Sequence, residues 1–177
     1  MSDSSIGEFS TQELFEALQQ QRLSLNLSWR QVAEEIWNQS HELNDQRRDH
    51  PISPSTLKGM GERGETSCQH ALFVLRWLRR TPESFLQGKT AVPDSTFPEI
   101  GPDRRFRWSL KKLYEAMNEQ RRERGLTWKE LAVILHCTPS QLSGLRTAKF
   151  ATGMRLAMRI TQWLDRPASD FVYAARW

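Results

Sequence analysis

The sequence repeats itself, and any fold for it must respect that. Leu14, Glu16, Ala17, Gln21, Arg22, Leu27, Trp29 and Ala33 recur as Leu113, Glu115, Ala116, Gln120, Arg121, Leu126, Trp128 and Ala132, at a shift of 99. Pro54, Ser55, Leu57 and Gly59 recur as Pro139, Ser140, Leu142 and Gly144 at a shift of 85. Trp77, Leu78, Arg80 and Phe85 recur as Trp163, Leu164, Arg166 and Phe171 at a shift of 86. Any two amphipathic helices share an apolar period, but identical Trp, Pro and Gly at matching places mark a duplicated domain. A chain of 177 residues suits two units of roughly 70 to 85 residues, and its 7 Trp can anchor two small cores. The fall from 99 to 85 puts 14 extra residues in the first copy, an insert at about 37–52. Gly88, Pro93, Pro98, Gly101 and Pro102 mark a semi-rigid linker. The division is therefore 8–87, linker 88–105, and 106–177, with each unit expected to fold on its own.

Each copy reads as a string of short helices, and no segment alternates like a strand. Ser10 with Glu13, Ser28 with Gln31, and Thr127 with Glu130 form capping boxes, and Phe9 can staple to Leu14. Ser53-Pro54 and Thr138-Pro139 place a capping residue before a proline at the first helical position, where no N–H is needed. A fourth helix holds Ala71, Val74 and Leu78, or Ala157, Ile160 and Leu164; a fifth starts near Pro82 or Pro167. The fold class is all-α.

Charge divides unevenly. Through Gly88 there are 9 Lys+Arg against 12 Asp+Glu, giving −3; from Lys89 onward 16 against 9 give +7. A basic half points to a polyanion, most often nucleic acid. Cys68 and Cys137 make no disulfide framework, which fits a reducing, cytoplasmic setting. No apolar run spans a bilayer, so no membrane is expected. Cys68 at a helix start is a candidate for a reactive thiolate. Cys68, His70 and His50 could hold zinc, but their spacing matches no standard finger. No metal or cofactor is expected. Nucleophile-elbow, P-loop, zinc-protease and dinucleotide motifs are absent, so an enzyme is not expected.

In the second copy, helix two (Trp128 to Leu135) and helix three (Pro139 to about Arg146) are joined only by His136, Cys137 and Thr138. The string from Leu113-Tyr114-Glu115-Ala116 through Leu126-Thr127-Trp128-Lys129-Glu130-Leu131-Ala132 and Thr138-Pro139-Ser140-Gln141-Leu142 to Trp163-Leu164 resembles the Cro and lambda-repressor-like (XRE) helix-turn-helix family. The first copy resembles it less closely. The resemblance implies two tandem domains of about five helices each, with helix three in the DNA major groove. Its reading positions would be Ser140, Gln141 and Ser143, with Arg146, Thr147 and Lys149 just beyond, while Lys129, Lys149 and Arg155 neutralise phosphates. Thr138 and Gln141 also form a capping box, the competing role for that glutamine. The family usually opens helix two with Gln; here Trp29 and Trp128 either pack under helix one or turn the indole N–H toward a phosphate. His136 stands where Gly often supplies a positive φ.

The first copy offers Ser55, Thr56, Lys58 and Arg63. Its helix two is expected to run on to about Asn44, giving a stripe with Trp37 and Leu43 that could bind a partner or a second copy of the chain. The implied function is a sequence-specific DNA-binding transcriptional regulator, the second domain being the main reader of double-stranded DNA. The alternative is an interaction module, antitoxin-like or adaptor, with weak DNA affinity. A linker of about 18 residues, reaching roughly 60 Å if extended, would let the two domains take adjacent half-sites.

Overall fold

The computed structural model describes residues 6–44, 52–88, 92–147 and 152–177. These are mostly helical. The first half holds α1 (Thr11–Ser24), α2 (Trp29–Asn38), α3 (His41–Asn44), α4 (Pro54–Arg63) and α5 (Cys68–Leu78). The second holds α6 (Leu110–Glu123), α7 (Trp128–Ile134), α8 (Pro139–Thr147) and α9 (Met154–Trp163). Ser10, Ser28, Ser53, Ser67, Ser109 and Thr127 cap α1, α2, α4, α5, α6 and α7 with side-chain oxygens, each accepting the N–H three residues on. The boxes at Ser28/Gln31 and Thr127/Glu130 are complete. At Ser10 only half the box forms, because the Ser10 N–H goes to Phe85 O at 2.9 Å.

Two features depart from an all-α chain of five-helix units. The fifth helix expected near Pro82 or Pro167 is a single 3-10 turn, Pro82–Phe85 or Ala168–Phe171, and the first half gains a separate short helix in α3. Each turn runs into a strand that closes its own half. β1 (Glu8–Phe9) pairs antiparallel with β2 (Leu86–Gln87), and β3 (Arg105–Trp108) with β4 (Val172–Ala175). The signal was present in Arg105-Phe106-Arg107-Trp108, whose two aromatics are buried, but four residues are too few for alternation to stand out.

The halves do not hang from a linker; they share one core. Ser67 and Gly153, equivalent at the shift of 86, face each other in an antiparallel bridge. Cys68 N–H donates to Thr152 O at 2.9 Å and Met154 N–H to Thr66 O at 2.8 Å, each bond the image of the other. Around this local two-fold, α5 lies on β3 and α9 on β1. Gln69 Nε2 donates to Phe106 O at 2.9 Å and the buried Trp108 Nε1 to Cys68 O at 3.1 Å. In return, Gln162 Nε2 donates to Gly7 O and Gly7 N–H to Gln162 Oε1, both at 2.8 Å. Self-complementary exchange of this kind is the geometry of a symmetric dimer, here within one chain.

The connecting segment is fixed as well. Phe97 packs on Phe106 with ring centroids 5.3 Å apart. Ser169 N–H donates to Ser95 Oγ at 3.0 Å and Thr96 N–H to Ser169 Oγ at 3.1 Å. Semi-rigid reach toward separate half-sites is thereby replaced by a set geometry.

Candidate nucleic-acid interface

α7 and α8 are joined by Leu135, His136, Cys137 and Thr138. The chain reverses because His136 adopts φ of 54°, doing as a non-glycine what glycine does more readily. Arg159 braces this turn, its Nη1 donating to Leu135 O at 3.4 Å and His136 O at 3.3 Å. Leu142 and Leu145 fix α8 in the core. Ser140, Gln141, Ser143, Arg146 and Thr147 then lie on its exposed side, as helical spacing requires.

Gln141 holds two roles at once. Its Oε1 accepts from Thr138 N–H at 2.9 Å and its own N–H goes to Thr138 Oγ1 at 3.2 Å, so the capping box is real. Its amide nitrogen donates to none of the described residues. Ser143 Oγ donates to Ser140 O at 3.2 Å and Thr147 Oγ1 to Gly144 O at 3.4 Å. Arg146 and Lys129 are exposed and form no ion pair among the described residues. Lys149 lies outside the described residues.

Arg155 is not free for phosphate. Its Nε lies 2.6 Å from Glu8 Oε1 across the junction of the halves, and Arg159 Nη2 lies 2.8 Å from the same oxygen. Partial burial works against the Glu8 carboxylate, yet hydrogen bonds and charge from Arg159 and Arg155 outweigh it and hold Glu8 below the ordinary carboxylate range. The second half's positive charge is likewise drawn into structure. Arg121 lies over Trp128 at 4.4 Å, Arg124 over Trp163 at 4.8 Å and Arg166 over Phe171 at 4.6 Å. These guanidiniums keep their charge, so the excess of +7 still attracts a polyanion at a distance while fewer of them are free to reach a phosphate.

The tryptophans that open helix two pack under helix one. Trp29 stacks on Phe15 at 5.8 Å with Arg22 on its ring at 4.5 Å, and Trp128 stacks on Tyr114 at 5.5 Å. Both indoles are half-buried.

In the first half, Ser55, Lys58 and Arg63 are exposed and Thr56 half-buried. Thr56 Oγ1 sits 2.8 Å from Ser53 Oγ, and Arg63 folds back along α4 to donate to Thr56 O at 2.8 Å. Of these four, Lys58 alone makes no such tie among the described residues. The proposed partner stripe does not exist as a surface. α2 stops at Asn38 rather than continuing, and α3 starts a new direction after Ser40. Leu43 is buried, and Trp37 is half-buried. Their cover is the run into β3: Ser40 Oγ donates to Arg104 O at 2.9 Å, Glu42 N–H to Pro102 O at 3.2 Å, and Arg105 Nη2 to Asn44 Oδ1 at 3.3 Å. Leu43 thus lies in an internal seam and is not open to a partner, while Trp37 keeps part of its ring exposed. Residues 45–51, including His50 of the zinc expectation, lie outside the described residues.

Cys68 is buried, and desolvation with the Glu65 charge nearby pushes its thiol far above the ordinary value, so it is no thiolate. His70 is held low by burial and by Arg63. No metal-competent cluster occurs among the described residues, and no helix among them is long and apolar enough to cross a membrane.

Residue reasoning missed Glu8, Arg159 and Glu65. Glu65 lines a groove of about 320 Å³ with Ser140, Gln141 and Gly144, so the first half sets a carboxylate beside the first turns of α8. Glu8 carried a signal: its counterpart at the shift of 99 is Arg107, a reversal of charge. Glu65 carried none, since its place depends on how the halves meet. Compared with protein-family models, curated proteins and solved structures, the chain matches none.

Proposed function

We propose that this protein is a sequence-specific DNA-binding regulator built of two helix-turn-helix units, the second being the main reader. The observation that carries the reading is the outer face of α8: Ser140, Gln141 and Ser143 beside Arg146, which forms no ion pair among the described residues, presented on a short, braced turn. Short polar side chains of this kind read donor and acceptor patterns in the major groove, and Gln suits adenine. The local two-fold between the halves adds support, because duplex DNA offers paired half-sites with the same symmetry. Since α4 and α8 differ at their outer positions, the preferred site is asymmetric.

Selection of bound duplexes from a random pool by the purified chain tests this, followed by titration of the enriched site. Gln141→Ala should cost about 1 to 3 kcal/mol and relax one base pair. Arg146→Ala should weaken all sequences alike and lower the salt slope by about 1. Thr56→Ala should cost less than Gln141→Ala. Failure to enrich any sequence sinks the proposal.

A second reading, an interaction module with slight DNA affinity, is favoured by one observation. Glu65 beside Ser140 and Gln141 is a charge that repels phosphate and attracts a donor-rich protein surface.

A further inference from the structure

We propose that the cleft at the C-terminal end of α5 binds a small amphiphilic organic anion, with an aromatic carboxylate as the class its chemistry fits. The cleft has a volume of about 420 Å³, within the range of small-molecule pockets. Leu72 and Leu75 of α5, with Phe97, Ile100 and Phe106 from the strap and β3, form its apolar walls. Arg79 and Arg80 stand at its mouth, exposed.

The duplication supplies an internal control for this place. At the shift of 86, Arg76, Arg79, Arg80 and Ser84 correspond to Gln162, Asp165, Arg166 and Asp170. Formal charge is therefore +3 in the first copy, from three arginines, and −1 in the second, from one arginine and two aspartates. In the second copy Arg166 pairs with Asp170 at 2.9 Å. Its counterpart Arg80 keeps the equivalent ring contact, lying 4.2 Å over Phe85, but has Ser84 where the aspartate would be and forms no ion pair among the described residues. Arg79 takes the same left-handed conformation as Asp165, with φ of 55° against 54°, so the backbone was kept while the charge was reversed. Leu75 replaces the buried Thr161, making the wall more apolar on the same side.

Arg76 does not compete for a ligand. Its guanidinium donates to Ser40 Oγ, Gln39 O, Arg104 O, Ile100 O and Gly101 O at 2.9 to 3.3 Å, and so ties α5 to the strap that forms the opposite wall. Glu99 also lines the cleft; it is exposed and forms no ion pair among the described residues. The net balance at the mouth, Arg79 and Arg80 against Glu99, is +1. Guanidinium forks match carboxylates bidentately, and a flat apolar body fills the space between Leu75 and Phe97.

Calorimetric titration of the full chain with 2-naphthoate and with neutral 2-naphthamide, without DNA, tests the proposal independently of the regulator reading. The acid should bind about ten-fold more tightly than the amide, a ratio fitting a charge-assisted hydrogen bond. Arg79→Gln, at an exposed position whose side chain makes no hydrogen bond or ion pair among the described residues, should remove most of that preference. Arg79→Asp, the residue of the second copy, should abolish it, and Asp165→Asn should change neither ligand. Equal binding of acid and amide, no binding of the acid at millimolar concentration, or a preference that survives Arg79→Gln would each overturn it.

Discussion

The two halves agree inside and disagree outside. Phe15, Trp29 and Arg22 form the same sandwich as Tyr114, Trp128 and Arg121, with ring planes 17° and 15° apart. Arg22 donates to Leu27 O at 2.9 Å as Arg121 does to Leu126 O, and Gln21 reaches Trp77 O at 3.4 Å as Gln120 reaches Trp163 O at 3.3 Å. By contrast Thr56, Lys58 and Gly61 of α4 become Gln141, Ser143 and Arg146 of α8. The residues of this shared sandwich have duties within the fold, whereas these outer positions of α4 and α8 have changed. The shared sandwich marks scaffold, and the functional difference between the halves is to be sought where their outer faces diverge.

The comparison breaks most visibly if the halves are parted. The full chain should melt in one cooperative transition, because α5, α9, β1 and β3 bury side chains across the junction. A fragment of residues 104–177 exposes Phe106, Trp108 and Met154 and should lose its cooperative melt by circular dichroism, contrary to autonomous folding of each unit. Within the full chain, Trp108→Ala should cost about 3 to 5 kcal/mol in denaturant unfolding, combining a cavity with the loss of the indole hydrogen bond to Cys68 O. Arg22→Ala and Arg121→Ala sharpen the point: equivalent sandwiches should lose similar stability, each about 1 to 2 kcal/mol. A large inequality would mean that the copies have diverged inside as well.

The smallest effects are in pH. Glu8 is held below its ordinary value of 4.5, so its contribution is present above that pH and is lost as pH falls through the lower folded value. Glu83 is the opposite case. Burial raises its carboxyl against the Ser95 hydroxyl and N–H, neither oxygen makes a hydrogen bond of good geometry among the described residues, and its charged form costs stability near neutrality. Melting temperatures across pH 3 to 7 should show Glu8→Gln destabilising near neutrality with a flatter acid limb, and Glu83→Gln stabilising near neutrality with a benefit that fades in acid.

Much of the architecture was legible because it is local. Caps at Ser28, Ser53 and Thr127 and the spacing of Leu142 and Leu145 are written within one turn of the residues they fix. The candidate face of α8 came instead from the resemblance to the helix-turn-helix family. The misreadings share another cause: partners distant in sequence. Leu43 was read as surface because the segment covering it begins near Pro102. Arg155 was read as free because Glu8 lies 147 positions away. Charge counts cannot separate an arginine stacked on Trp128 from one standing in solvent, which is why Arg121 and Arg146 counted alike.

The bridge between Ser67 and Gly153 has a further consequence in mass action. A homodimer held by such a contact dissociates on dilution, and its occupancy of a two-part target rises steeply with concentration. In this chain the partner is always attached, so the contact is governed by a local concentration that dilution leaves untouched. Any target that needs both halves is then filled along a simple hyperbola, without the steeper loss at low copy number that dimer dissociation would add.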